Sequence, residues 1–357
     1  MKKIFCRRSR RSHTAAKRRW LRELLGRQRR CRKRGGRLSY VSVTRRRGPV
    51  DYIRLRAPTE IDIGRADRRE YLLRFLRDLR LAALNGGSGI TIDFRFTQKA
   101  WPAGMLLLVA EIDRALRMMI DRRLLRCNYP ADPLMEQVFQ QIGLLTLLGL
   151  PQRCDVVDEM AKHWRYATGV VMESALAGQS LERYDGKIAE PIRSGLYAGM
   201  IEAMANTIHH AYAEARNDGV RLYRERRWWM FSQEKDGRLS IAICDLGIGI
   251  PRSLPTTKTF SPESIVEMLK SIGGWDKPDA SAIRAAVRLG QSSTNQANRG
   301  KGLSEVLDAV SNTKDGSAAI FSNRGFYGVA ADRAEPVDRE YPESIYGTVV
   351  EWHVPLS

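Results

Sequence analysis

One segment of the C-terminal half carries the helical pattern around which the chain is organised. From Gly199 onward, the sequence GMIEAMANTIHHAY places apolar residues every three or four positions, which predicts a helix. The apolar stripe consists of Leu196, Met200, Met204, Ile208 and Ala211. Glu202 and Asn206 are four residues apart and lie together on another face of this helix. The helix therefore presents a carboxylate and an amide away from the core.

A strand pattern follows this helix. Residues 239–244 alternate leucine and isoleucine with smaller side chains, which predicts a half-buried strand. The less apolar side of that strand carries Ser240, Ala242 and Cys244. The strand ends at Asp245, and Gly247 and Gly249 come directly behind it. A carboxylate at a strand end, glycines after it and a Glu/Asn pair upstream suggest a nucleotide pocket.

Strand and helix patterns alternate in residues 48–157 and predict a small α/β domain. In chain order, the predicted elements are a strand at DYIRLRAP, a helix at REYLLRFLRDLRLAAL, a strand at ITIDFRF, a helix at GMLLLVAEIDRALRMM, a strand at RLLRCNYP, a helix at PLMEQVFQQIGLLTLLG and a closing strand at RCDVVD. Residues 158–190 are interpreted as a helical connector, and residues 191–357 as a second α/β domain.

The net charge of +20 is concentrated at the N-terminus. Residues 1–50 contain 20 Lys and Arg but a single acidic residue, Glu23, so they carry +19 and the remainder carries +1. Residues 1–47 are therefore interpreted as a basic arm that is partly disordered or helical. The rest of the chain is nearly neutral.

The arm suits a negatively charged partner. Its arginines outnumber its lysines and match phosphate groups, and Trp20 is available to stack on a base, which favours nucleic acid. An acidic membrane surface or an acidic protein patch would satisfy the same charge. A basic tail with no dedicated partner is the simplest alternative.

The cysteines and the hydropathy pattern bear on the compartment. The five cysteines are scattered and form no CxxC pair, which favours reduced thiols over a disulfide framework or a zinc site. No apolar run is long enough to cross a bilayer, and the N-terminus does not have the pattern of a signal peptide. The sequence thus predicts a cytoplasmic protein without a transmembrane segment.

Four short motifs follow one another in the C-terminal half: EAMAN ending at Asn206, DLGIG beginning at Asp245, RGKGL at residues 299–303 and GTVVEW beginning at Gly347. Each is weak alone, because short glycine-containing patterns are common in loops. Their order and spacing together resemble the GHKL superfamily of ATP-binding proteins, which have the Bergerat fold. The resemblance covers residues 191–357, and the segment NTIHHAY is most similar to the anti-sigma-factor kinases.

This resemblance implies a site for ATP and Mg²⁺. Asn206 would coordinate the metal, and Glu202 would polarise the attacking water or hydroxyl. Asp245 would accept a hydrogen bond from the adenine amino group, supported by Thr348. The other implied nucleotide contacts are Gly247 and Gly249 beside the base, Gly300, Lys301, Gly302 and Leu303 at the phosphates, and His210. Residues 250–299 would form the ATP lid, with two short helices and a mobile hydroxyl-rich loop.

Several of these residues have simpler interpretations when taken singly. Glu202 alone would be a solvated helix residue, and His210 is nearly as consistent with helix packing as with a phosphate contact. Lys301 would add only a point charge. Trp228 and Trp229 are predicted to pack in a sheet rather than to form a stacking platform.

The element order of residues 48–157 resembles the STAS domain, the fold of bacterial anti-sigma-factor antagonists. The resemblance rests on ITIDF leading into a helix-opening loop and on the IGL signature at residues 142–144. In the antagonists that loop contains a phosphorylated serine, whereas this chain has Trp101, Pro102 and Ala103 there. The resemblance therefore implies a STAS-like domain that docks a protein partner without being phosphorylated.

Three functions fit a two-domain α/β protein with a STAS-like βαβ domain, a Bergerat-fold sandwich and a basic arm. The first is a regulatory protein that uses Mg-ATP binding and slow hydrolysis as a conformational switch for a partner. The second is a serine/threonine protein kinase of the anti-sigma type, and the third is a nucleic-acid-binding module with an inert ATP site. The missing serine favours the switch over the kinase, and Glu202 argues against an inert site. Homodimerisation, common in the superfamily, is a further hypothesis.

Overall fold

The computed structural model describes residues 41–44, 52–84, 88–182, 184–219, 226–257, 260–273, 276–292 and 302–356. Within these ranges the chain is a mixed α/β protein with a four-stranded, a seven-stranded and a two-stranded sheet. None of the helices in the described ranges combines the length and apolar character needed to span a membrane. Most of the predicted arm lies outside the described residues.

The N-terminal region, residues 41–150, contains the four-stranded sheet and the helices that cover it. Its elements are β1 (Val41–Thr44), β2 (Tyr52–Arg56), β3 (Glu60–Ile61), α1 (Ala66–Leu84), β4 (Gly89–Asp93), β5 (Lys99–Ala100), α2 (Pro102–Met118), β6 (Leu125–Asn128), α3 (Pro133–Gln141) and α4 (Leu144–Leu147). The sheet order is β1-β2-β4-β6, in which β2, β4 and β6 are parallel and β1 is antiparallel to β2. The short strands β3 and β5 pair separately.

Local sequence signals explain where the helices of this region begin. Pro102 occupies the first turn of α2, where a missing backbone N–H costs no hydrogen bond. The carboxylate of Asp132 accepts a hydrogen bond from the Met135 N–H at 2.9 Å and caps α3. The predicted strands and helices of this region are confirmed up to residue 132. The helix predicted over residues 133–149 is two helices, because Gly143 has φ +75° and interrupts it. Residues 153–158 form no strand, so the predicted closing strand is wrong. The sheet also begins earlier than predicted, because β1 lies inside the segment assigned to the arm.

The C-terminal region, residues 159–356, contains the seven-stranded sheet. Its elements are α5 (Glu159–Lys162), β7 (Arg165–Gly169), α6 (Ser174–Glu182), α7 (Glu190–Asn206), β8 (Trp228–Lys235), β9 (Arg238–Asp245), α8 (Ile250–Ser253), α9 (Pro262–Ile272), α10 (Pro278–Ser292), α11 (Gly302–Ser311), β10 (Ser317–Ser322), β11 (Gly325–Ala330), β12 (Val337–Glu340) and β13 (Thr348–Pro355). The sheet order is β12-β11-β10-β13-β9-β8-β7, and all neighbouring strands are antiparallel.

Two predicted boundaries in this region change. The segment 158–190 is not a purely helical connector, because β7 pairs with β8 and extends the large sheet. The predicted lid, residues 250–299, includes α10, whose Ile283 and Val287 are buried in the core beside the sheet. An ion pair of 2.8 Å between Arg284 and Asp338 also ties α10 to β12. This part of the predicted lid therefore packs against the large sheet.

The seven-stranded sheet is covered on both faces. One face packs against α7, α10 and α11 through Ile241, Ile243 and Trp352. The other face lies under α2, which contacts β8, β9 and β13 as well as α1 and β3. Fifteen of the 17 residues of α2 are buried. Residues 102–110 are apolar on every side, and a helix segment of that kind must be enclosed. Residues of the N-terminal and C-terminal regions therefore pack together in one hydrophobic cluster around α2.

This enclosure corrects the prediction that β9 is half-buried. Ala242 and Cys244, on the less apolar side of the strand, are both 0% exposed. They pack in the cluster that includes α2. Trp228 and Trp229 are also fully buried in β8, which confirms that they pack in the sheet.

Candidate functional site

The candidate site forms where the end of α7 meets the end of β9. Leu196, Met200 and Met204 are fully buried and fix α7 against the sheet, which confirms most of the predicted apolar stripe. Glu202 and Asn206 are half-buried on another face of the same helix. The helix therefore holds these two polar side chains at a defined position without enclosing them in the core.

The continuation of α7 anchors the loop after β9. One turn of π-helix, Thr207–Ala211, follows the helix, and the Ala211 carbonyl accepts a hydrogen bond from the Ile248 N–H at 2.7 Å. The Tyr212 hydroxyl accepts from the Leu246 N–H at 3.1 Å and donates to the Arg227 carbonyl at 2.7 Å. These bonds bring the Asp245 loop directly beside the end of the helix that carries Asn206.

Two glycines permit this close approach. A Cβ atom at Gly247 would lie 2.1 Å from the Ala211 carbonyl oxygen, so no other residue fits between the loop and the helix end. Gly249 has φ +78°, and a Cβ there would lie 2.6 Å from the side-chain amide of Asn323. The glycines thus allow the backbone to fold tightly around the end of β9.

The Asp245 side chain is the buried acid of the site, with only 9% of the residue exposed. Its carboxylate accepts a hydrogen bond from the Gly247 N–H at 2.8 Å. Burial raises the pKa of Asp245 to about 6, against the opposing effects of the Gly247 N–H, the Arg216 charge and hydrogen bonds from Thr348. The carboxylate is therefore ionised at neutral pH but costly to keep charged, which is a frequent property of functional acids.

Thr348 lies in a small hydroxyl cluster next to this acid. It pairs with Asp245 across the β9–β13 ladder, and its Oγ1 is 3.0 Å from the Ser322 Oγ. The Ser322 hydroxyl in turn accepts a hydrogen bond from the Ile250 N–H at 2.8 Å. Ser322 was not among the predicted site residues, because it reaches the site only through the β10–β13 pairing, in which it lies opposite Thr348.

The second glycine motif is described only in part. Gly300 and Lys301, together with the rest of the predicted hydroxyl-rich loop after residue 292, lie outside the described residues. Gly302 and Leu303 begin α11, as predicted, although the side chains of its first turn are not described. The helix packs closely on α7, since a Cβ at Gly199 would lie 2.8 Å from the Val306 Cγ1. The structure thus places α11, which begins at Gly302, alongside the helix of Glu202 and Asn206.

His210 lies in the π-helical turn and is half-buried. Its pKa is lowered, first by burial and then by the charge of neighbouring His209. The imidazole is therefore neutral at physiological pH, so it offers a hydrogen bond rather than a positive charge.

A buried ionic cluster connects the N-terminal region to the segment after α7. Glu111 of α2 bonds Arg80 of α1 at 2.8 Å and also pairs with Arg216, which follows the π-helical turn. Asp218 pairs with Arg216 at 3.2 Å and with Arg114 of α2. Burial opposes ionisation of Glu111, but the charges of Arg216, Arg80 and Arg114 lower its pKa to about 2.

A second buried cation joins the two regions. The Arg69 guanidinium, from α1, donates to the carbonyls of Asn323 at 3.0 Å and Glu343 at 3.2 Å. Burial lowers the pKa of Arg69 to about 10, so it remains charged at neutral pH. The Asn323 side chain donates to the Ile248 carbonyl at 2.8 Å, inside the Asp245 loop. The loop is therefore connected to α1 by an unbroken chain of hydrogen bonds.

The arrangement offers specific chemistry to a ligand. The buried Asp245 carboxylate, with the Thr348 hydroxyl beside it, can accept a hydrogen bond from an N–H group of a ligand. The Glu202 carboxylate and the Asn206 amide lie on the neighbouring helix, α7. Among the described residues, no group of three or more His, Cys, Asp and Glu could hold a metal ion. A cation bound at Asn206 would thus need further oxygen ligands from the bound molecule.

Comparisons with protein-family models, with curated proteins and with solved structures found no match.

Proposed function

We propose that this chain is a cytoplasmic regulatory protein in which Mg-ATP binding, followed by slow hydrolysis, switches the conformation presented to a partner. In this proposal, residues 41–150 form a STAS-like domain and residues 159–356 form a Bergerat-fold ATP-binding domain. One observation carries the proposal: the buried Asp245 carboxylate is held beside the end of the helix that carries Glu202 and Asn206.

Different residues of the site would bind the adenine base and the phosphates of ATP. Asp245, with Thr348 at its side, would accept a hydrogen bond from the exocyclic amine of adenine. Gly247 and Gly249 would let the backbone after β9 pack against Ala211 and Asn323, which holds the Asp245 carboxylate in place beside the base. The backbone N–H groups at the start of α11 would face the phosphates, since a helix N-terminus favours anions.

Glu202 and Asn206 would act at the phosphate end. Asn206 would contribute an oxygen ligand to Mg²⁺, which neutralises phosphate charge when bound. Glu202, one turn earlier on α7, would orient a water molecule and accept its proton as the water oxygen bonds to the terminal phosphorus and the bond to the bridging oxygen breaks, which releases ADP. Because Glu202 would act in hydrolysis but not in binding, ATP would first bind and change the conformation, and its hydrolysis would then return the protein to the starting state.

The contacts between the two regions would carry the switch to the partner. Arg216 pairs with Glu111 of α2, and its charge partly opposes the rise that burial causes in the pKa of Asp245. Arg69 joins α1 to Asn323, and Asn323 holds the Ile248 carbonyl. A ligand that rearranges residues 245–250 would therefore act on the helices of the N-terminal region.

Replacing Glu202 with alanine is expected to separate binding from turnover. ATP affinity should stay within about twofold, whereas the rate of phosphate release should fall by at least ~100-fold, the usual effect of removing a general base. Titration calorimetry and a phosphate-release assay measure the two quantities on the same protein. Glu190→Ala, at the opposite end of α7, is the matched control and should change neither.

The same assay tests the alternative of a protein kinase. With radiolabelled ATP, the switch predicts that label appears as free phosphate. Transfer of label to a Ser or Thr of another protein in a cell lysate would instead support an anti-sigma-type kinase. If Glu202→Ala hydrolyses ATP as fast as the wild type, the role assigned to this carboxylate is wrong.

A further inference from the structure

A cavity lies between the N-terminal region and the large sheet, beside the start of α2. Its volume is about 430 Å³, which is within the range of small-molecule sites. Its walls come from the segment after β3, from the first turn of α2 and from strands β10 and β13. None of the residues assigned to the ATP site lines it.

The cavity is on the face of the large sheet opposite to the Asp245 site. Asp245 pairs in register with Thr348, and Glu351, which lines the cavity, follows Thr348 by three positions along β13. Because side chains alternate along a strand, Thr348 and Glu351 point to different faces. Val349, on the face of Glu351, packs in the cluster around α2, whereas Trp352 packs in the cluster on the other face. The sheet therefore separates the two sites.

Glu351 is a carboxylate that is buried in the sheet, with 8% of the residue exposed. Its register neighbours are Ala242 on β9 and Ala319 on β10, so neither adjacent strand places a cation opposite it. The Nε2 of His353 lies 3.5 Å from the Glu351 Oε2, beyond the distance of about 3.2 Å at which N–H···O bonds usually end. Within the described part of the chain, the Oε1 has no hydrogen-bond partner. A carboxylate buried in this way requires a donor.

The first turn of α2 supplies backbone donors that have no acceptor. Pro102 has no N–H, and no side chain caps the helix. The Met105 N–H donates to the Trp101 carbonyl at 2.8 Å, but the N–H groups of Ala103 and Gly104 donate to no acceptor in the described ranges. Both residues are buried and line the cavity. Buried N–H groups without a partner are rare, and the start of a helix favours an anion.

The other charged groups at the cavity are already paired. The Asp62 carboxylate accepts a hydrogen bond from Arg68 at 3.3 Å, and Arg68 also pairs with Glu60. Arg65 forms an exposed pair with Asp67 at 3.7 Å. The groups that remain for a ligand are thus a carboxylate on one side of the cavity and two backbone donors on the other.

The rest of the wall is apolar. Ile63 and Phe321 are at most 4% exposed, and Trp101 is 37% exposed. The Arg68 guanidinium carbon lies 4.6 Å from the centroid of the Trp101 ring, so one face of this ring is already covered. These side chains would bound the cavity and contact a hydrocarbon group of a ligand.

We propose that this cavity binds a free α-amino acid with an apolar side chain. The ammonium group would donate to the Glu351 carboxylate, and the ligand carboxylate would accept from the N–H groups of Ala103 and Gly104. Because α2 packs directly on β13, both sets of groups border one cavity, as recognition of two charges on neighbouring atoms requires. An amine alone would leave the helix donors unsatisfied, and a carboxylate alone would leave Glu351 unsatisfied.

Ligand titrations followed by saturation-transfer NMR on the full chain test this proposal. The probes are L-leucine, L-methionine and L-phenylalanine, each with analogues that lack the carboxylate or the amine; for leucine these are 3-methylbutylamine and 4-methylpentanoate. The amino acid should bind at least ~10-fold more tightly than either analogue, because each analogue loses hydrogen bonds between charged and polar groups. No nucleotide is present, so the result is independent of the proposed ATP site. Absence of binding by all three amino acids, or equal affinity for the amino acids and their analogues, would overturn the proposal.

The substitution Glu351→Gln tests the role of the carboxylate. The affinity for the amino acid should fall at least ~10-fold, whereas the affinity for 4-methylpentanoate, which has no amine, should not fall. Glu335→Gln, at an exposed acid, is the matched control and should bind both ligands as the wild type does. Equal weakening of both ligands by Glu351→Gln would show a structural effect and contradict the proposal, as would unchanged affinity for the amino acid.

Discussion

Replacing Glu111 with glutamine is expected to lower the free energy of unfolding by about 3–5 kcal/mol. Glu111 is 0% exposed and pairs with Arg80, Arg114 and Arg216. The amide would keep the shape of the side chain but remove one of the two carboxylates that, among the described residues, balance these buried guanidinium groups, the other being Asp218. Urea denaturation followed by far-UV circular dichroism measures the loss.

The pH dependence of the free energy of unfolding is a second test of the role of Glu111. The pKa of Glu111 is lowered from 4.5 to about 2 in the folded chain, because the arginine charges outweigh burial. The stabilisation from this carboxylate is therefore complete above pH 4.5 and is lost as the pH falls towards 2. In Glu111→Gln, the free energy of unfolding should not include this loss between pH 4.5 and 2. Glu70→Gln, at an exposed ion pair with Arg74 on α1, should cost less than about 1 kcal/mol, and a similar cost at Glu111 would refute the importance of the cluster.

Replacing Asp245 with asparagine is expected to weaken ATP binding by at least ~100-fold, since the amide replaces a charged acceptor and directs N–H donors at the ligand. The fold should survive, because the asparagine carbonyl still accepts the hydrogen bond that the Gly247 N–H donates. Titration calorimetry at pH 7.5 measures the affinity. The exposed substitution Asp332→Asn is the control and should bind as the wild type does.

The raised pKa of Asp245 adds two expectations with opposite signs. Burial raises this pKa from 3.8 to about 6, so the stability contributed by the protonated acid is complete below pH 3.8 and is lost as the pH rises through 6. The full loss in the free energy of unfolding is about 3 kcal/mol. Asp245→Asn, which has no carboxyl group to titrate, should not show this loss. ATP affinity should show the reverse trend and fall below pH 6, because the ligand needs the ionised carboxylate. A wild-type affinity that does not change between pH 7.5 and 5 would contradict the assignment of Asp245 as the acceptor.

Local patterns in the sequence predicted the parts of the site that depend on one element at a time. The apolar stripe of α7 follows from its spacing, and it fixes the face on which Glu202 and Asn206 lie. The strand that ends at Asp245 follows from its alternation. The glycines at positions 247 and 249 predicted that the backbone turns tightly after that strand, as it does.

Features that depend on distant pairing could not be predicted in this way. Arg216 and Glu111 are 105 residues apart in the chain, and nothing in either neighbourhood indicates that they meet. Ser322 reaches Thr348 only because β10 and β13 are neighbours in the sheet. A single segment cannot reveal its partner when the contact is made by tertiary structure.

The burial of both faces of the large sheet had a signal that the prediction did not use. Residues 102–110 of α2 are apolar on every side of the helix, and a helix segment of that kind must be enclosed by two layers. The alternation of β9 favoured one exposed face, but Ala242 and Cys244 are small enough to pack under α2. The helix, rather than the strand, carried the information about how the two regions fit together.

The most direct test of the account is a calorimetric comparison of ATP and GTP binding to the full chain in the presence of Mg²⁺. Adenine presents an amino group to the Asp245 carboxylate, whereas guanine presents a carbonyl oxygen at the same position, which would place two acceptors together. The account predicts that ATP binds and that GTP binds at least ~100-fold more weakly, as for sites built around a hydrogen bond to one group of the ligand. Equal affinities for the two nucleotides, or no binding of ATP, would contradict it.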